Sequence, residues 1–212
     1  STSTKTVFFI EIDRQTDSTA IESFKKELES VLVDVSVAVE DWQPIRKKLI
    51  EVSKELPKRR HGKNKSEVAE TVEFLDWLVS DNFTLMGYRE YELSPVQGDY
   101  QLKGKMDTSL GLLKNSTEEH TRLLSELPEV ARQEARSSNL LILTKTNSQS
   151  RVHRPAYIDY VGVKRFDDEG NVIGEDRFIG LFSSNFYNNS AADVPVLKSK
   201  ITRIMDMCDF AK

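Results

Sequence analysis

The chain has 212 residues, with 30 Lys and Arg against 34 Asp and Glu and a formal charge of -4, long enough to bury a core as one large domain or one domain beside a smaller partial one. That balance sets up no field for nucleic acid or an anionic membrane. No apolar run approaches the roughly 18 residues of a membrane span and no basic-then-apolar leader opens the chain, so a cytoplasmic setting is expected.

In chain order, the opening at Ser1 rather than Met reads as processing or excision from a longer protein. Residues 7–12 read as a strand. A helix follows with apolar positions Ile21, Phe24, Leu28, Val31 and Val35 at helical spacing and a capping box from Thr19 and Glu22. One strand and one helix cannot bury each other's faces, so residues 1–42 read as half of a small α+β unit. Val33, Val35, Val37 and Val39 also alternate, which leaves residues 34–40 open between strand and helix.

Pro44 suits the first turn of a further helix over 45–56, ending before Pro57. The run Lys58-Arg-Arg-His-Gly-Lys-Asn-Lys65 reads as a solvated linker closing a segment 43–65, with an anion-binding patch as the alternative. Asn64 and Glu67 suggest another capping box, before a helix carrying Val68, Val72, Leu75 and Val79 on one stripe. Trp42 and Trp77 read as packing anchors, and Cys208, among Ile204, Met205 and Met207, as core rather than as a reactive thiol.

From Phe83 the period becomes two, placing Phe83, Leu85, Gly87, Arg89 and Tyr91 on one face. Ser94-Pro95 and Gly98-Asp99 turn the chain into a strand through Tyr100 and Leu102. An irregular stretch over 104–115 precedes short helices at 118–124 and 128–136. Strands at 140–144, 157–166 and 172–182 follow, the last two joined by the turn Asp167-Asp-Glu-Gly-Asn171, and a helix over 194–207 closes the chain. Two strands, small helices, then three strands is the order of a PAS-like domain. The expected fold is α+β: a PAS-like antiparallel sheet with helices packed on one side over 66–212, preceded by the partial unit.

Known catalytic signatures are not met. No G-x-G-x-x-G follows a strand, so neither a dinucleotide fold nor a bound cofactor is expected in this chain. His61, His120 and His153 lie far apart without ligand-spaced acids or cysteines, which argues against zinc. The acids of the 167–171 turn are adjacent rather than alternating, which argues against calcium. Ser23 and Lys26 match an acyl-enzyme pair only by coincidence. The constellation that stands out is Lys145, Asn147, Ser148, Ser150, Arg151, His153 and Arg154. Two arginines and a lysine among hydroxyls and amides have the chemistry to hold the carboxylate of an amino-acid effector. The same residues also suit a domain or subunit contact, or plain loop chemistry in which Asn and Ser satisfy the backbone and Arg154 pairs with Asp159.

Several strings carry a family resemblance. Leu143-Thr-Lys-Thr-Asn-Ser-Gln-Ser-Arg-Val-His-Arg-Pro155, Asp159-Tyr-Val-Gly-Val-Lys164 and Gly174-Glu-Asp-Arg-Phe-Ile-Gly-Leu-Phe182 resemble the N-terminal region of the large bacterial NAD-dependent glutamate dehydrogenases. Glu40-Asp41-Trp42, Phe83-Thr-Leu-Met-Gly-Tyr-Arg-Glu-Tyr91 and Val194-Pro-Val-Leu-Lys-Ser-Lys200 extend it through nearly the whole chain. The resemblance implies a non-catalytic regulatory or assembly segment lying before the catalytic core, with residues 1–42 part of an ACT-like module. NAD would then bind outside this chain, the catalytic lysine and aspartate would lie beyond Lys212, and the partners would be the remaining domains, neighbouring subunits and an amino-acid effector. The alternative is a free-standing PAS-like small-molecule sensor.

Overall fold

A computed structural model describes residues 7–59, 65–114, 121–184, 186, 190 and 193–208. Helix α1, Ser18–Glu55, is one helix of 38 residues, where two helices and an undecided valine stretch were expected. Asp17 rather than Thr19 caps it, its carboxylate accepting the Thr19 N–H at 2.8 Å. The valines are helical because Val35 leads into a 3.6-residue stripe whose later members Ala38, Ile45, Leu49 and Val52 are buried. Pro44 lies inside the helix instead of starting one. The N–H it lacks costs α1 a backbone hydrogen bond, and burial of this face on both sides of Pro44 holds the helix together.

Residues 7–17 form neither helix nor strand. The strand expected at 7–12 is not formed, and among the described residues no strand lies alongside to take up its N–H and C=O groups. After a short 3-10 turn, Leu56–Lys58, most of the basic run, including Asn64 of the expected capping box, lies outside the described residues. Helix α2, Lys65–Trp77, buries Val68, Thr71, Phe74 and Leu75. Asp81, at φ 62°, then swings the chain into the sheet.

The strands are β1 Phe83–Val96, β2 Asp99–Gly104, β3 Leu110–Gly111, β4 Thr121–Leu123, β5 Leu141–Gln149, β6 Tyr157–Phe166 and β7 Val172–Phe182. Helix α3, Glu129–Arg136, precedes β5, and α4, Leu197–Cys208, follows β7. Every ladder is antiparallel, the sheet order is β4-β2-β1-β7-β6-β5, and β3 pairs with β1. At the β1–β2 turn Gln97 and Gly98 both take positive φ, 48° and 87°, as a two-residue hairpin requires. β4 replaces part of the helix expected at 118–124; residues 115–120 lie outside the described set.

A bulge between Leu85 and Gly87 corrects the expected single face of β1. An extra residue inverts the parity of everything after it. Phe83 and Leu85 therefore join Tyr88, Phe178, Val161 and Val163 in the main core against α1 and α2, while Gly87 faces Ile179 and Leu113 on the other side. Each fully buried side chain of that core contributes about 1.5–3 kcal/mol.

Two packing expectations fail. Trp42 is 46% exposed, and Cys208 is exposed on α4, a helix with no buried side chain. Trp77 does anchor, stacking on Phe74 and meeting Phe182 and Phe186.

Candidate functional site in the polar loop and the buried charge network

The polar constellation divides between a strand and a connection. β5 runs on to Gln149, so Lys145, Asn147 and Ser148 belong to its outer end, and Ser150, Arg151, His153 and Arg154 to the link into β6. Lys145 stands opposite Asp159 in the ladder and its ammonium donates to that carboxylate at 2.5 Å. This corrects the expected Arg154–Asp159 pair: with Lys145 in register, the Arg154 guanidinium donates to the Phe182 carbonyl at 2.9 Å. Ser150 is buried; its hydroxyl accepts the Val152 N–H at 3.1 Å and donates to the Val152 carbonyl. The Ser148 N–H donates to Thr146 Oγ1 at 3.2 Å, Asn147 is exposed, and His153 is exposed at φ 71°. Arg151 reaches away from all of them to α1, donating to Asp34 and, at 3.1 Å, to Ser30. The three cations therefore address three different acceptors and converge on no common point.

Asp41, on the apolar face of α1, is buried and joins the helix to the sheet. Its carboxylate accepts the Gly111 N–H at 2.7 Å and pairs with the Lys114 ammonium at 2.7 Å. Burial pushes this carboxyl up, but the hydrogen bonds from Lys114 and Gly111 outweigh it and hold it below the ordinary value of 3.8. Gly111 takes φ 60°, and a Cβ there would lie 2.1 Å from the Met86 carbonyl oxygen.

Both faces of the sheet carry buried charge. Toward the helices, the Tyr88 hydroxyl bonds Asp176 at 3.0 Å, Arg59 pairs with Asp176 at 2.8 Å and Arg165 with Glu90 at 3.0 Å. On the other face the Arg177 guanidinium lies 3.6 Å from the Tyr91 ring centroid and 4.8 Å from that of Tyr160, and Glu175 accepts from both Arg177 and Tyr160. Arg89, 1% exposed, donates to Ser109 at 2.8 Å. Lys164, in register with Glu175 and 1% exposed, donates to the carbonyls of Glu134 and Ser137 at the end of α3.

Three side chains of the network, Tyr88, Tyr160 and Glu90, are shifted away from neutral pH. Burial, then the charges of Asp176 and Glu90, push the Tyr88 hydroxyl up, and burial drives Tyr160 up. Burial raises Glu90, but Arg165 and Lys105 hold it below 4.5. The pairs cross-link β1, β6 and β7 and tie β6 to the end of α3. A cleft of about 330 Å³ lies where Leu56, Arg59, Lys164 and Arg165 meet Phe166 and Ile173; its cations hold the acceptors named above, with Arg165 also on the Tyr91 carbonyl at 2.8 Å. Among the described residues no three His, Cys, Asp or Glu gather as a metal set, and no helix is long and apolar enough to cross a membrane.

Sequence reading missed Asp41 and the network. Asp41 had one signal, an acid between Ala38 and Ile45 on an apolar stripe. The helix-side pairs of the network had none, because Arg59–Asp176, Tyr88–Asp176 and Arg165–Glu90 join residues 75 to 117 positions apart.

No protein-family model matches the chain. Over 204 residues, 95% of the chain, it is 34% identical to the NAD-specific glutamate dehydrogenase of Halomonas elongata, and over 208 residues, 98% of the chain, 31% identical to that of Pseudomonas aeruginosa. The enzyme of the same name from Mycobacterium tuberculosis is 25% identical over 194 residues, 91% of the chain. The chain is thus related along almost its whole length to a stretch of these proteins, and spans 13%, 13% and 11% of theirs.

Proposed function

We propose that this chain is a non-catalytic regulatory and assembly segment of a large NAD-specific glutamate dehydrogenase, whose complete enzyme oxidises L-glutamate to 2-oxoglutarate and ammonium. The observation that carries this is the relation over 95% of the chain to 13% of a much longer relative. We assign NAD to other parts of that enzyme. In support, every strand pairing among the described residues is antiparallel, whereas a dinucleotide fold is built on parallel βαβ crossovers.

Within that reading, residues 66–212 form a PAS-like domain whose long strands lie within 83–182, and residues 1–42 belong to an ACT-like unit. The sheet order supports the first: β1 and β7, the first and last long strands, lie side by side, with the β1–β2 hairpin on one flank and β6 and β5 on the other. Lys145, Asn147, Ser148, Ser150, Arg151, His153 and Arg154 act as a contact loop rather than an effector pocket. Favouring the contact is the reach of Arg151 to Asp34 and Ser30 on α1, while Lys145 and Arg154 hold Asp159 and Phe182.

Thermal unfolding of the purified chain with free amino acids, 2-oxoglutarate and NAD tests both parts. A ligand at about 100 times its Kd adds about 2.7 kcal/mol, a shift of several degrees. We expect no shift with NAD and none with amino acids. A shift with an amino acid that Arg154→Ala abolishes would replace the contact loop by an effector site, and a shift with NAD would contradict the assignment of NAD to other parts of the enzyme.

A further inference from the structure

We propose that the N-terminal half of α1 is a docking face for a second layer of the longer polypeptide, an apolar surface edged by a Lys or Arg side chain that meets Glu27. This deepens the segment reading above and rests on it. From Asp34 onward α1 shows how the face is used. Ala38, Ile45, Leu49 and Val52 are buried, and along one edge the body supplies a cation to each successive acid: Lys114 to Asp41 and Arg151 to Asp34.

Those acids are seven residues apart, so they lie on the same edge of the helix. Glu27, seven residues before Asp34, continues the row, is exposed and has no hydrogen bond or ion pair among the described residues. Beside it the stripe continues as Ile21, Phe24 and Leu28, at 48%, 48% and 37% exposure. Residues 21–28 therefore repeat the pattern that α1 uses from Asp34 onward to bind the body, with no partner among the described residues.

Two observations identify the occupant. Leu32 beside Leu28 widens the exposed stripe beyond two positions in seven, the width of a helix lying on a globular layer rather than the narrow seam of a two-stranded coil. Residues 7–42 also carry nine acidic against three basic side chains, so a second copy would bring like charge to like charge, and the cations a copy has for this pattern, Lys114 and Arg151, already serve its own α1. A basic-edged layer from elsewhere in the longer polypeptide matches on both counts. Residues 7–12, with Val7, Phe8, Phe9, Ile10 and Ile12 all exposed, are placed to add a strand to it.

Hydrogen–deuterium exchange of α1 in this chain alone and in the longer natural polypeptide tests the proposal. Amides of residues 21–32 should exchange quickly in the chain alone and about tenfold or more slowly in the longer protein. Leu28→Asp should abolish that slowing while residues 45–52 stay protected, and Glu27→Lys should weaken it. Equal exchange of 21–32 in both forms would overturn the proposal, as would indifference to Glu27→Lys, or protection in the chain alone that rises with concentration alongside a dimer mass. A natural gene product of only 24.2 kDa would instead overturn the segment reading, and is seen in the mass before any exchange is measured.

Discussion

Asp41 holds two donors from one loop, 70 and 73 residues away in sequence, and so decides where α1 sits on the sheet. Removing it leaves the Gly111 N–H without its acceptor and Lys114 without its counter-charge, and Asp41→Ala should cost about 2 kcal/mol, read as a lower urea midpoint at pH 7. The pH dependence follows from the direction of the shift. Asp41 ionises below 3.8 in the fold, so its stabilisation is intact above that value and drains as pH falls through the folded value; the gap between wild type and variant should narrow as pH falls below 3.8. At the alkaline end the sign reverses. Tyr88 and Tyr160 ionise above the ordinary 10.0 in the fold, so stability should fall as pH rises past 10 while phenolate absorbance from these two waits for unfolding. Gly111→Ala forces a Cβ against the Met86 carbonyl at positive φ and should cost about 2–3 kcal/mol or more. Asp41 was visible in the sequence only as an acid on an apolar stripe; its partners, set by tertiary folding, were not.

One face of α1 meets two environments along its length, which gives a comparison within a single element. Leu49→Ala empties a fully buried site and should cost about 2–5 kcal/mol. Leu28→Ala, on the same face but exposed, should change the stability of this chain by no more than about 0.5 kcal/mol. Chemical denaturation of both variants checks the pair. The Arg151–Asp34 bridge is partly exposed on both sides, so a double-mutant cycle should return only about 0.2–1 kcal/mol, falling with salt. β6 and β7 were legible end to end, because two apolar-rich runs flank an Asp-Glu-Gly-Asn turn. The continuity of α1 was not, since Pro44 and four alternating valines both argue locally for a break that burial overrides. The parity of β1 was misread for a different reason: a bulge leaves no mark in a period-two pattern.

Across the whole molecule, an antiparallel sheet carries α1 and α2 on one face and a buried cation–aromatic ladder on the other, while α4 and the start of α1 remain unburied among the described residues. Antiparallel pairing was legible where turns are short, at β1–β2 and β6–β7, but the placing of β7 beside β1 was not. The polar loop was legible as a cluster of donors but not as to its acceptors, which come from α1, β6 and β7. The apolar faces of the molecule that are exposed among the described residues are what the segment role proposed above would use. The most direct measurement is to raise antibodies against this chain, recover the natural polypeptide that carries it, and record its mass and its glutamate-dependent reduction of NAD. The segment account predicts a polypeptide several times larger than 24.2 kDa that reduces NAD with L-glutamate, while the purified 212-residue chain does not. A 24.2 kDa product free of that activity, or turnover by the isolated chain, would contradict it.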